Sequence, residues 1–417
     1  MSRIYSACVI GGGAAGMTCA NVLKMNDKNL SVCVIEQMPR VLKKVIVTGN
    51  GRCNITNRDI SLSHYHGENP LFAAYALKNF DNFIVEVFFN KLGVIFHYDE
   101  RGRAYPYSLQ ASSVVDALRL YAADNGVDIF TETEVYNIEK TKSGYLITTN
   151  KESFKAENIV IATGLLSGGD SLGSNGKMLS ILKNMGYKTV KVTPSLVQIK
   201  TENTLTKSLK GIKITAKATL FSGDRAISQN TDEVLFCDYG LSGPAILYIS
   251  REVERETGDT TVSLDLMPEY PHQKVYDMIR YRAGVLSTRK LEDLFLGMLN
   301  KRVGQAVIKL AGLKLGDSVS TLTENDYKKL TSIIKDLRFK TLGTTGFNNS
   351  QVTAGGLDTA AFDDETMMSQ THGGLYAIGE ILDIDGDCGG YNLQWAFSSA
   401  MCAAESIMDR LNEDENI

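Results

Sequence analysis

Gly11, Gly13 and Gly16 stand in the spacing Gly-x-Gly-x-x-Gly directly after the apolar run Ala7-Cys8-Val9-Ile10, and Glu36 closes the next one, Leu30-Ser31-Val32-Cys33-Val34-Ile35. That order of residues can hold a dinucleotide. Gly11 permits a tight turn, Gly13 lets backbone approach a pyrophosphate, and Gly16 lets the following helix lie close to the strand. A helix opening at Ala14 and Ala15 turns its N–H groups toward phosphate charge. Glu36 falls where a ribose hydroxyl needs an acceptor.

A second set of residues lies near the C-terminus. Gly373 to Ile378 reads as a short apolar strand that ends at Gly379 and Glu380, and Asp383 and the pair Gly389-Gly390 then lead into a helix from about Asn392. In two-part flavoproteins the dinucleotide domain closes on such a strand. Its terminal acid holds the ribityl chain, and the next helix points its positive end at the flavin pyrimidine, which carries negative charge when reduced. Glu380 is the first candidate for that acid and Asp383 the second. This end of the chain points to FAD rather than NAD.

Other reactive side chains are less tightly patterned. Cys53 follows Arg52, whose charge can lower a thiol pKa, yet no resolving cysteine is near in sequence and packing is the better reading. Tyr105, Tyr107, Tyr239 and Tyr391 can each donate a proton, although a tyrosine beside proline or glycine is more often a packed wall. Arg52 suits a substrate carboxylate or the flavin edge, or simply braces its loop. Trp395 reads as core. The five histidines, His64, His66, His97, His272 and His372, show no metal-ligand spacing, and His64 and His66 read as solvated residues of a polar loop.

These residues need elements to position them. The first 36 residues read as strand, helix, strand; Phe72 to Lys91 and Ser112 to Asn125 read as helix; Val135 to Ile138 and Tyr145 to Thr149 form a meander; and Asn158 to Gly164 is a buried strand with a small-residue turn. Alternation at Ile212, Ile214, Ala216, Ala218 and Leu220, and again at Val262, Leu264 and Leu266, predicts antiparallel β-structure. Helical periodicity occupies 268–335, strand character returns over Phe339 to Val352, and a last helix covers Asn392 to Leu411 before a polar, fraying tail. At 417 residues with a net charge of −4, the chain is long enough for two or three domains and carries no basic run inviting nucleic acid. Seven scattered cysteines without a CxxC pair argue against a disulfide framework, and the absence of a membrane-length apolar run or leader points to the cytoplasm.

Gly49-Asn50-Gly51-Arg52-Cys53-Asn54-Ile55-Thr56-Asn57, Gly102-Arg103-Ala104-Tyr105-Pro106, Tyr239-Gly240-Leu241-Ser242-Gly243-Pro244-Ala245, Thr353-Ala354-Gly355-Gly356 and the stretch from Gly379-Glu380 to Gly389-Gly390-Tyr391-Asn392-Leu393-Gln394-Trp395 resemble the BaiN-type flavoprotein family, also labelled aminoacetone oxidase-like. The match runs in order along essentially the whole chain. The resemblance implies an α/β fold: a Rossmann-like FAD-binding domain (1–193 and 353–417) interrupted by an antiparallel β-barrel substrate domain (194–267 and 337–352) and a helical lid (268–336). It implies FAD contacts at Gly11, Gly13, Ala14, Ala15, Gly16, Glu36, Gln37, Lys44, Asn54, Val135, Ala162, Thr163, Gly164, Gly379, Glu380, Asn392 and Leu393. One departure is Leu165, where the family often has a second glycine after Ala-Thr-Gly.

The family implies two reaction types. One is reduction by NAD(P)H of a carbon–carbon double bond conjugated to a ketone, as in a steroid or bile-acid enone; the other is oxidation of a small aminoketone such as aminoacetone. Flavin-dependent modification of RNA is a third reading, which the net acidity disfavours. No second strand-glycine-helix unit is present: Gly168-Gly169-Asp170-Ser171-Leu172-Gly173 has the wrong spacing, so any NAD(P)H docks transiently. The expected partners are an apolar small molecule, with neither nucleic acid nor membrane, and the candidate catalytic set is Arg52, Cys53, Tyr105, Tyr239 and Tyr391.

Overall fold

The apolar runs at the N-terminus form β1 (Ile4–Ile10) and β2 (Val32–Ile35), joined by α1 (Ala14–Asn26). In the computed structural model, which describes residues 3–415, these begin a seven-stranded sheet. Its other strands are β3 (Asp128–Phe130), β4 (Val135–Thr141), β5 (Gly144–Thr149), β6 (Ser153–Ile161) and a late strand, Leu375–Ala377. The order is β3-β2-β1-β6-β5-β4, with Leu375–Ala377 also on β6. β1 pairs in parallel with both neighbours, Val9 opposite Val34 and Val160, and all three valines are fully buried. Strands covered on both faces must be continuously apolar, which is why these runs lack alternation.

The expected single helix over 72–91 is instead α2 (Ala74–Asn79) and α3 (Asn82–Lys91). Asp81 breaks it by accepting from the Ile84 N–H at 2.9 Å, an N-cap that competes with helix continuation. α4 spans Ala111–Asp124, as expected to within a residue. The last helix runs Tyr391–Glu415, past the point where fraying was expected, and Asn416 and Ile417 lie outside the described residues. Among the described residues no helix is long and apolar enough to cross a membrane.

The described residues form two compact units, 3–194 with 347–415, and Ser195–Gly346. The second unit holds a closed antiparallel barrel of β7 (Ile199–Thr201), β8 (Lys213–Ser222), β9 (Arg225–Phe236), β10 (Gly240–Ser242), β11 (Thr260–Asp265) and β12 (Leu337–Thr344). The helices α5 (His272–Val285), α6 (Lys301–Leu310) and α7 (Glu324–Lys335) share its core: Val275, Ile279, Val307 and Ile334 cluster with Val234, Phe236 and Leu264. The helical stretch 268–336 therefore belongs with the barrel in one unit. The last barrel strand ends at Thr344, and the chain rejoins the first unit at Phe347 rather than 353.

Candidate dinucleotide site

The turn after β1 is held by backbone. Gly11 has φ of +108°, and a Cβ there would lie 2.6 Å from the Ala162 carbonyl oxygen. A Cβ on Gly16 would lie 1.9 Å from the Gly11 carbonyl oxygen, so only glycine lets α1 sit this close to β1. Gly13 differs from both: its Cβ position is open save for the Ala162 oxygen at 4.0 Å. Gly13 is also the N-cap of α1, without a side-chain cap and with no acid in the first turn. The helix opening is thus a cradle of donors with room in front of it, which suits a pyrophosphate.

Glu36 follows β2 and grips this turn. Its two oxygens accept from the Gly12 N–H at 2.8 Å and the Met38 N–H at 2.7 Å. Burial pushes its carboxyl above the usual range, while the N–H donors pull the other way. Beyond it a cavity of about 440 Å³ is lined by Gln37, Met38, Pro39, Glu132, Glu134, Asn150, Asp170, Gly173, Asn175 and Lys177. Gln37 is held from that side, donating to the Gly173 carbonyl and accepting from Asn175 Nδ2 at 3.1 Å. Val135 begins β4 beside Glu134. The stretch Gly168–Gly173, dismissed as a second nucleotide motif, therefore supplies part of the cavity wall; all three of its glycines have positive φ.

Ala162, Thr163 and Gly164 follow β6, and Gly164 carries the positive φ, +63°. Leu165, the departure from the family pattern, is buried and gives its N–H to Glu380 Oε1 at 3.2 Å. Glu380 also accepts from Ser167 Oγ at 3.0 Å and from Lys44 Nζ at 3.2 Å, and Lys44 in turn donates to Ser167 Oγ at 2.6 Å. Ser167 Oγ and Lys44 Nζ also reach Oε2, at 3.1 and 3.4 Å, so both Glu380 oxygens already meet protein donors. Asp383, the second ribityl candidate, is buried, and its Oδ2 accepts from the Glu68 N–H at 2.8 Å, which ties it to the loop at 64–68. Gly379 sets the end of its strand against the first turn of α1, its Cβ position 3.1 Å from Ala15 Cβ. The Trp395 indole donates to the Gly379 carbonyl at 3.1 Å and is core, as read.

We label the last helix, Tyr391–Glu415, α8. Asn392 binds Gly386 on both sides, accepting its N–H at 2.8 Å and donating to its carbonyl at 2.7 Å, which leaves backbone as what Asn392 and Leu393 can offer a ligand. Asn54 lies alongside: its Oδ1 is buried without a hydrogen-bond partner among the described residues and sits 2.9 Å from where a Gly390 Cβ would be. An orphaned acceptor at the start of α8, an open cradle at α1 and a polar cavity beside Glu36 fit a flavin dinucleotide.

The catalytic nominations fare unevenly. Cys53 is fully buried, with φ of +59° and its thiol pushed up to about 12 by burial, so it is a protonated packing group rather than a redox centre. Tyr105 is buried too. The exposed Arg52 lays its guanidinium over the Tyr105 ring at 5.0 Å, the loop-bracing arrangement, and burial raises the Tyr105 pKa despite Arg103 and Arg52. Tyr239 lies in the other unit, in the turn before β10, where its carbonyl accepts from the Thr201 N–H. Tyr391 opens α8 with its ring stacked on His64, centroids 4.3 Å apart.

The histidines require a correction. His64 and His66 are not loose solvated side chains: His64 Nδ1 and His66 Nε2 lie 3.0 and 2.8 Å from the two oxygens of buried Asp387. Tyr65–His66 pairs antiparallel with Asp385–Gly386, which brings residues more than 300 positions apart into one cluster. Only that pairing reveals it. Spacing in sequence carries no such signal.

A family profile described as HI0933-like protein Rossmann domain matches residues 5–406. The chain belongs to this family. It is 31% identical over 405 residues to a 3-dehydro-bile acid delta(4,6)-reductase of Clostridium scindens, covering 96% of this chain and 98% of that protein. It is 30% identical over 414 residues to a ribosomal RNA dihydrouridine synthase of Haemophilus influenzae, covering 98% and 99%. Among solved structures, the 3-ketosteroid-delta4-(5alpha)-dehydrogenase of Rhodococcus jostii shares the fold at a TM-score of 0.51 and 12% identity, over 98% of this chain and 97% of that one. The Rossmann-type flavoprotein architecture with a barrel insert is thereby established.

Proposed function

We propose that this family member is an FAD-dependent oxidoreductase that reduces a carbon–carbon double bond conjugated to a carbonyl, with NAD(P)H as transient co-substrate and a bile-acid- or steroid-like enone as substrate. The observation that carries the reading is the end-to-end likeness to a bile-acid reductase, joined to a dinucleotide cradle whose residues fit FAD. Bound flavin would supply hydride transfer to the β-carbon. The chain's own residues do the rest. The α1 opening neutralises pyrophosphate, Glu36 accepts from ribose hydroxyls, Asn54 offers its unpaired oxygen, and the α8 opening stabilises negative charge. The α-carbon then needs a proton. Tyr391, which opens α8, is our candidate donor.

A uracil base in RNA is the second substrate reading, because its reducible bond is likewise conjugated to a carbonyl. One observation favours it. Ser195–Gly346 holds 22 lysines and arginines against 18 aspartates and glutamates, a net of +4, while the rest of the chain carries −8. The overall acidity that argued against nucleic acid therefore hides a basic unit.

The test is anaerobic bleaching of the flavin by NADH, NADPH and aminoacetone in separate samples, followed by a 3-keto-4,6-diene bile acid or a ribosomal RNA fragment as oxidant. Bleaching by a nicotinamide and reoxidation by the dienone supports the first reading. Reoxidation by RNA alone moves the substrate to uracil, and bleaching by aminoacetone alone overturns both.

A further inference from the structure

Asp387 is a buried carboxylate three residues before Gly390, in the loop that opens α8, and the side chains bonded to it among the described residues are two imidazoles. His64 Nδ1 meets Oδ2 at 3.0 Å and His66 Nε2 meets Oδ1 at 2.8 Å. His64 is fixed at three further points. Its Nε2 lies 3.3 Å from Asp59 Oδ2, its carbonyl accepts the Asp387 N–H at 2.9 Å, and its ring lies on Tyr391, with planes 18° apart. The charged and titratable groups around the cluster are Asp59 from the preceding loop, Tyr65 between the histidines, Asp383 and Asp385 on the Asp387 segment, and Tyr391 at the helix start. Acids dominate this list. Unbalanced, they would oppose the positive end of α8.

We propose that His64 and His66 are positioning residues for bound flavin, which offset the charge of Asp387 and hold Tyr391, so that the Asp387 carboxylate does not cancel the positive end of α8 where the reduced ring would lie. The inference rests on the reading that FAD occupies this site with its pyrimidine at α8. Two electrons and one proton convert the oxidised ring to a reduced ring with one net negative charge. Imidazoles that offset the neighbouring carboxylate charge favour the reduced form. His64 and His66 act through Asp387 and Tyr391, so neither is a catalytic residue.

The experiment measures the midpoint potential of the FAD-loaded protein at pH 6, after FAD binding is verified by fluorescence. Failure of the wild-type protein to bind FAD defeats the cofactor reading, independently of this proposal. With FAD bound, His64→Gln/His66→Gln is expected to shift the oxidised-to-reduced ratio at least tenfold toward oxidised at pH 6, about 30 mV for a two-electron couple. Adding Asp387→Asn to the double variant should restore the ratio to within threefold of wild type. A double variant within twofold of wild type at pH 6, or a triple variant no closer than the double, overturns the proposal. Should the double variant lose FAD, Asp387→Asn alone, nearly isosteric, decides: a rise in potential supports it, and an unchanged potential overturns it.

Discussion

The two ends of the candidate cofactor groove are built by different means. At the β1–α1 turn the determinants are backbone and lie within about 30 residues of one another: Gly11, Gly13 and Gly16, with Glu36 gripping Gly12. At the opening of α8 they are side chains from distant segments, with Lys44 reaching Glu380, the Asp383 carboxylate holding the Glu68 N–H, and His64 and His66 enclosing Asp387. A backbone cradle tolerates no substitution at its contact points but needs no partners. A side-chain cradle tolerates single changes gradedly, and its parts answer to pH and charge.

Gly16→Ala is the largest break. Its Cβ would sit 1.9 Å from a backbone oxygen that cannot swing away, so α1 must lift from β1 at a cost of about 3 kcal/mol or more. We expect a colourless, poorly soluble protein with a strongly lowered Tm. Gly13→Ala sharpens the point, because open space surrounds its Cβ position. The apoprotein should keep its Tm within a few degrees yet lose FAD, since the methyl group occupies the approach of the pyrophosphate. Equal Tm losses in the two variants would show that Gly13 is structural and remove the cradle argument.

At the other end, Lys44→Met should be milder. Lys44 and Glu380 are 30% and 18% exposed, so water screens part of the loss, and Ser167 and the Leu165 N–H still serve the carboxylate. A destabilisation of about 1–2 kcal/mol by urea unfolding is expected, with Lys44→Met/Glu380→Leu less than the sum of the two single changes.

This contrast also decides what could be read before the structure. The α1 turn was legible because its requirements are local: a glycine triplet, a flanking strand on either side and an acid at the end of the second. Parallel strands were legible from unbroken apolar runs such as Val32–Ile35. Cys53 was read as a packing residue and is buried, but its positive φ is not written in the residues beside it. His64 and His66 looked solvated because their partner arrives through a two-residue strand pairing over 300 positions away. The break at Asp81 was visible in principle, as an aspartate followed by an apolar run, but helical periodicity on both sides masked it.

Glu36→Gln separates charge from shape within the backbone cradle. The amide oxygen still accepts one N–H, so apoprotein stability should change little, while loss of charge-assisted bonds to ribose weakens FAD binding about tenfold. The pH dependence has a definite sign. Because burial raises the folded pKa of Glu36, its contribution to apoprotein stability is fullest below its unfolded pKa and is lost as pH rises through the folded value. Ribose hydroxyls favour the charged form, so FAD affinity runs the opposite way, falling as pH drops through that raised pKa. Flavin fluorescence titrations across this interval should slope for the wild type and flatten for Glu36→Gln.

The smallest expected effect is at Arg52. Its guanidinium covers Tyr105 from an exposed position, 5.0 Å from the ring centre, with a weak 3.4 Å bond from Nε to the Gly49 carbonyl. A cation–π contact at such a site contributes about 0.5–1 kcal/mol, so Arg52→Ala should lower Tm by only about 1–2 °C. That small structural cost makes Arg52 a clean probe of the substrate. If the arginine also meets a substrate carboxylate, KM for a carboxylated bile-acid dienone rises severalfold in the variant, while KM for an uncharged steroid ketone is unchanged. If it only braces its loop, the two substrates respond alike. We expect them to respond alike, because a guanidinium stacked on Tyr105 is already oriented by the protein and would have to leave that ring to reach a ligand.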